Sequence, residues 1–90
     1  TEYFRMIDFA KARGWSQRDF IPHAGHQLAL HVSAGLGLGA HEMASSLDNP
    51  FSGVSVDTKI QNGIAMLSDN PGIGIEYKPS IFKYFDGMLD

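Results

Sequence analysis

"DFIPHAGHQLALHVSAGLGLGAHEM", residues 19–43, decides how this chain of 90 residues is read. Asp19 opens the stretch and Glu42 stands next to its end. The twenty-two residues between them contain no Asp, Glu, Lys or Arg, yet they hold all four histidines of the chain. A segment so poor in charge reads as interior. An interior carboxylate or imidazole costs free energy unless it is paired, liganded or neutral. The residues to explain are therefore His23, at the front of the run, and Glu42, at its back.

The surrounding pattern is helix, strand, helix, strand. Residues 1–13 read as a helix, with Tyr3, Phe4, Ile7 and Ala10 on one stripe, Thr1 as a possible cap and Gly14 as the stop. A short strand is expected over residues 19–22, its Pro22 fitting a strand end. A second helix is expected over residues 25–36, with Leu28, Val32, Gly35 and Leu36 on its apolar stripe. "GLGLGA" closes it, and "AHEM" reads as a very short strand. Close packing of helix on strand is the expected reason for those glycines. A phosphate loop would have to open a helix, and this one ends one.

The second half changes character. "SSLDNPFSG" reads as a loop, and "DTKIQNGIAML" as a hairpin turning at Asn62-Gly63. "SDNPG" is a turn, and the alternation of "IGIEY" predicts a strand. Pro79 starts a last helix with Ile81, Phe82, Phe85 and Leu89 on its apolar face. Two short buried strands cannot form a parallel sheet without neighbours on both edges. That, and the abrupt helical start at Thr1, lead to the expectation that the chain is a piece of a larger βα fold.

Composition narrows the class. A net charge of −3 with no basic cluster argues against a nucleic-acid or anionic-membrane surface. The absence of cysteine excludes a disulfide framework and a thiolate metal site. No apolar run is long enough to span a membrane, so a cytoplasmic protein is expected.

His23 falls where a strand gives way to a loop, the end at which a βα barrel carries its catalytic side chains. A neutral imidazole there can move a proton near neutral pH; the alternative is a core histidine bonded to backbone. Glu42, in apolar surroundings, would be poorly solvated and its pKa raised, so that it could donate a hydrogen bond to a developing oxyanion. The alternative is a strand-end salt bridge. His23 and His26 form an H-x-x-H pair, but the two belong to different elements and no further ligand motif accompanies them. His26 is expected to line the same pocket or to cap the helix. His31 and His41 are expected to be structural.

These residues resemble a known family. "IPHAGHQLALHVSAGLGLGAHE", "NPFSG", "IQNGIAML" and "DNPGIGIE" resemble the C-terminal end of the mandelate racemase group of the enolase superfamily. "PHAGHQ" and "SAGLGLGAHE" look closest to D-tartrate dehydratase and related acid-sugar dehydratases. The resemblance implies an α/β fold, a C-terminal fragment of a modified (β/α) TIM-type barrel. Residues 1–43 would hold its seventh and eighth strands, and residues 44–90 would return to an N-terminal α+β capping domain.

The activity so implied is dehydration of a tartrate-like hydroxy-carboxylate, by α-proton abstraction and a Mg²⁺-stabilised enediolate. His23 matches the family's acid/base histidine, and Glu42 the glutamic acid that supports the substrate carboxylate. His26 is a further substrate-binding candidate. The Mg²⁺ ligands and the opposite-face lysine would lie upstream, with none in this chain, and a homo-oligomer is expected. A racemase or epimerase of the same superfamily uses the same residues. A non-catalytic, histidine-rich metal-binding or interaction module is the reading from a different class.

Overall fold

The computed structural model describes residues 2–23, 25–43 and 52–88. Thr1, most of the "SSLDNPFSG" loop and Leu89 lie outside the described residues. Among the described residues, three α-helices, two short 3-10 helices and one two-stranded sheet make up the regular structure.

Helix α1 spans Glu2–Lys11. Gly14 ends its trailing turn at φ 90°, and the Trp15 N–H returns to the Ala10 carbonyl at 3.1 Å. Of the expected stripe, Ile7 is buried, Tyr3 and Ala10 are half-buried, and Phe4 is exposed.

The strand expected over residues 19–22 is not formed. Gln17–Asp19 is a short 3-10 helix held by a capping box at Ser16. The Ser16 hydroxyl accepts from Arg18 N–H at 3.2 Å, and the Asp19 carboxylate accepts from Ser16 N–H at 2.8 Å. Asp19 is thus consumed in a local turn, because a short carboxylate three residues after a serine satisfies backbone donors more cheaply than a strand ladder could.

Helix α2 spans Gln27–Leu36 and is capped at its start by His26. It ends in a Schellman pattern: Gly37 is left-handed at φ 63°, its N–H meets Ala34 O, and Leu38 N–H meets Ser33 O. Its buried residues are Gln27, Leu30 and Ser33, not the stripe of Leu28, Val32, Gly35 and Leu36. Leu28 is exposed, Val32 and Leu36 are half-buried, and Gly35 is exposed. Two of the three buried positions are polar, so apolar periodicity pointed to the wrong face.

The second expected strand, "AHEM", is likewise reduced to one parallel bridge, Gly25 with Met43. The extended segments nevertheless run side by side. Gly39 N–H meets Phe20 O at 3.2 Å, and Glu42 N–H meets Pro22 O at 3.2 Å. Gly25 N–H meets Glu42 O at 2.7 Å. A second parallel bridge joins His26 to Gly53 on the other side. The described residues of 20–23 and 39–43, on either side of α2 in sequence, therefore run alongside one another through backbone hydrogen bonds and an isolated parallel bridge, without forming strands.

β1 (Lys59–Gln61) and β2 (Ile64–Met66) form the expected antiparallel hairpin, in the register Lys59↔Met66, Ile60↔Ala65 and Gln61↔Ile64. Asn62 at φ 52° and Gly63 at φ 75° supply the two positive angles that a tight hairpin turn requires. The strand expected at "IGIEY" is a 3-10 helix, Ile75–Tyr77. Gly74 is left-handed at φ 100°, and its N–H is taken by the Glu76 carboxylate at 3.1 Å, so the backbone curls instead of extending. α3 spans Pro79–Asp86 with Pro79 in its first turn. Ile81 is buried; Phe82 and Phe85 are exposed.

The buried hydrophobic residues are Ile7, Leu30, Val54 and Ile81, against fifteen exposed large ones. The radius of gyration is 15.0 Å, where a compact domain of this length would have about 12 Å. Among the described residues the apolar surface far exceeds what this chain covers by itself.

Two glycines of the same motif should respond oppositely to alanine. A Cβ on Gly39 would lie 1.8 Å from the Arg18 carbonyl oxygen, whereas one on Gly35 meets nothing within 4 Å. Gly35→Ala is expected to stabilise by about 0.5–1 kcal/mol, the usual gain within a helix. Gly39→Ala is expected to destabilise by about 1–3 kcal/mol through overpacking. Denaturant midpoints for the two variants check both signs.

Candidate functional site

The parallel pairing brings His23 and Glu42 together. Pro22 O and Gly25 N–H both bond to Glu42, one on each side of its backbone. His23 Nε2 lies 3.6 Å from Glu42 Oε2. At that distance the contact is electrostatic and not a hydrogen bond. The side chains are 90% and 55% exposed, so solvent screens the attraction strongly. The expectation of a poorly solvated Glu42 is not met in this structure, where its side chain is half exposed and His23 stands beside its carboxylate.

The other histidines are fixed by their hydrogen bonds. His26 caps α2, its Nδ1 accepting from Ala29 N–H at 3.3 Å. That uses the Nδ1 lone pair and leaves the proton of the neutral ring on Nε2. His31 Nε2 donates to Ile73 O at 2.6 Å, tying α2 to the segment before the 3-10 helix Ile75–Tyr77. His41 Nδ1 lies 3.3 Å from Ser33 Oγ. Desolvation, and secondly the nearness of His26, lowers the pKa of His41 below its ordinary 6.5.

A second polar cluster gave no sequence signal. Gln27 is 3% exposed, and its Oε1 accepts from Ser55 N–H at 2.9 Å and from the Thr58 hydroxyl at 3.3 Å. Asp57 accepts from Ser55 Oγ, from Ser68 Oγ at 2.6 Å and from Asn70 Nδ2 at 3.1 Å. The hydroxyl of Ser55, then that of Ser68, holds the Asp57 carboxyl down at about 2. Lys78 is 1% exposed, its ammonium donates to the Ser52 carbonyl, and burial lowers its pKa. These residues belong to no recognisable spacing, and only the fold assembles them.

Among the described residues no group of three or more His, Asp or Glu side chains could hold a metal ion. The Asp57 oxygens are engaged by hydroxyl and amide donors. The described residues thus do not by themselves form a Mg²⁺ site. Among the described residues, too, no helix is long and apolar enough to cross a membrane. No protein-family model matches the chain.

Asp57 gives a pH prediction. Its carboxyl is depressed from 3.8 to about 2 in the fold. A depressed carboxylate contributes stability that is present above its unfolded value and lost as pH falls through the folded one. Stability should therefore drop between pH 3.8 and about 2, and Asp57→Asn should flatten that part of the curve. Thermal midpoints measured across the acid range test it; an unchanged slope in the variant would assign the loss elsewhere.

Proposed function

We propose that this chain is the C-terminal part of an enolase-superfamily dehydratase acting on a tartrate-like hydroxy-carboxylate. The observation that carries the reading is the approach of His23 and Glu42 to 3.6 Å across neighbouring parallel segments. They are the two residues whose sequence context resembles the acid/base histidine and the carboxylate-supporting glutamic acid of the mandelate racemase group. The parallel approach of the segments on either side of α2 is compatible with two successive barrel strands. The exposed apolar faces are compatible with a remaining barrel and a capping domain that would cover them. Residues 1–43 would then belong to the barrel and 44–90 to the segment returning to the cap. A homo-oligomer in the cytoplasm belongs to the same proposal.

The chemistry assigned to this chain's own residues is limited and concrete. In loss of water from a hydroxy-carboxylate, the α-proton goes to a base outside these residues. The bond from the β-carbon to its hydroxyl breaks as that oxygen receives a proton. His23 Nε2 supplies the proton, and its exposure gives substrate access to the ring. Glu42, beside it, either steadies the imidazolium or, when protonated, donates to the substrate carboxylate as charge develops there. Mg²⁺ would stabilise the enediolate from ligands outside this chain, and no step here is assigned to it.

The test is turnover of tartrate and related acid sugars by the full-length protein with Mg²⁺, scored as water loss to the 2-keto acid. His23→Asn is expected to reduce turnover by 10²–10⁴-fold, the usual contribution of a general acid. Turnover within about tenfold of the parent would remove His23 from that role. Glu42→Gln keeps a donor of the same shape, and Glu42→Ala removes it. If Glu42 donates to the substrate, Gln retains much more kcat than Ala at similar KM. Equal loss of kcat in both would mean that the carboxylate acts only on His23. Exchange of the α-proton with solvent deuterium, without loss of water, would point to a racemase.

A further inference from the structure

We infer that His41 is a positioning residue that holds Glu42 in register beside His23, and that Ser33 sets the tautomer in which it does so. The inference rests on the proposed site for its functional meaning, but its geometry stands without it.

Ser33 carries one hydroxyl proton, and that proton is given to Ala29 O at 2.8 Å. Toward His41 Nδ1, at 3.3 Å, the same oxygen can only accept. His41 must therefore carry its proton on Nδ1 and leave Nε2 as a bare lone pair. That Nε2 is buried and has no hydrogen-bond partner among the described residues. A Cβ built on Gly25 would lie 2.0 Å from it and 2.2 Å from the Glu42 carbonyl oxygen. The imidazole thus occupies the space that any side chain at position 25 would fill. It lies against the backbone whose N–H bonds Glu42 O at 2.7 Å.

The consequences run along the chain. With Nε2 unprotonated, the ring can lie flat against the Gly25 methylene. A proton there would bury an N–H without an acceptor, which burial opposes. Ser33 anchors the ring to α2, and Gly25 receives it on the neighbouring segment. His41 is the residue before Glu42, so a fixed ring fixes the peptide that joins them. The charged and titratable groups around this ring are His26 at the α2 cap, Glu42 next in sequence and, beyond it, His23. The sequence reading took His41 as structural, and the hydrogen bonds give it a definite task.

The tautomers are directly measurable. His26 and His31 carry their neutral-ring proton on Nε2, by their bonds to Ala29 N–H and Ile73 O, whereas His41 carries it on Nδ1. Long-range proton–nitrogen correlation of ¹⁵N-histidine-labelled full-length protein at neutral pH should show this two-against-one pattern. His41 found with its proton on Nε2 would overturn the inference.

Ser33→Ala removes the acceptor while keeping a good helix former. It should abolish the His41 preference and speed amide exchange at Gly25 and Glu42 on the order of tenfold, with Leu30 unchanged. Ser33→Thr, which retains a hydroxyl able to bond the same carbonyl, should restore both. In turnover, Ser33→Ala should lower kcat on the order of tenfold with little change in KM, as misplacement of a reacting group does. A variant that loses the tautomer but keeps Gly25 and Glu42 protected, or turns over normally, would refute the positioning role. A parent protein that turns over no hydroxy-carboxylate would sink the proposed function alone, since the tautomer and the exchange rates would still judge His41.

Discussion

Everything placed around the candidate site depends on two strands of backbone meeting at Gly25. Its N–H reaches Glu42 O at 2.7 Å, and the missing side chain makes room for that carbonyl and for the His41 ring together. Without this approach, residues 20–25 and 39–43 would be two unconnected loops at the ends of α2. With it, they become neighbours running the same way, and His23 and Glu42 come to within 3.6 Å of one another. The hydrogen bonds are few. The N–H groups of Gly25, Gly39 and Glu42 hold the arrangement, and α2, ended sharply by the left-handed Gly37, supplies the return path.

What could be read from the sequence was mostly local. Asn62-Gly63 requires two positive φ angles in succession and Pro79 a helix start, and both appear where the residues demand them. Gly14 and Gly37 likewise end helices by being able to turn left-handed. The misreadings came where a side chain bonded its own backbone. Asp19 closes a turn on Ser16, so extended backbone begins only at Phe20, and Glu76 closes one on Gly74, so "IGIEY" curls where its apolar alternation implies a strand. Helix α2 misled differently. Its inner face is decided by Gln27 and Ser33, polar residues that bury readily because each is hydrogen-bonded. A scale of hydrophobicity gives such residues the wrong sign.

The candidate site divides along the same line. His23 and Glu42 were legible because the uncharged run isolates them and their surroundings resemble a known motif. Ser33, Gly25 and His41 were not, because their roles exist only once the two segments lie together. Gln27, Asp57 and Lys78 were silent for the same reason: a buried amide, a half-buried carboxylate and a buried ammonium become explicable through partners 26 to 31 residues away or in the next loop. Resemblance and folding geometry thus single out neighbouring but different residues, the former the groups that face solvent, the latter those that hold them there.

The hairpin of β1 and β2 has a consequence for handling the chain. It is a sheet of two short strands with an open edge on either side, and Ile60, Ile64 and Met66 are all exposed. Unpaired edges with apolar side chains are templates for strand addition, and two strands alone rarely hold their shape in water. Lys59 is the charged side chain on this ribbon that opposes stacking. Among the described residues this ribbon, more than the helices, therefore offers backbone to which another strand can add.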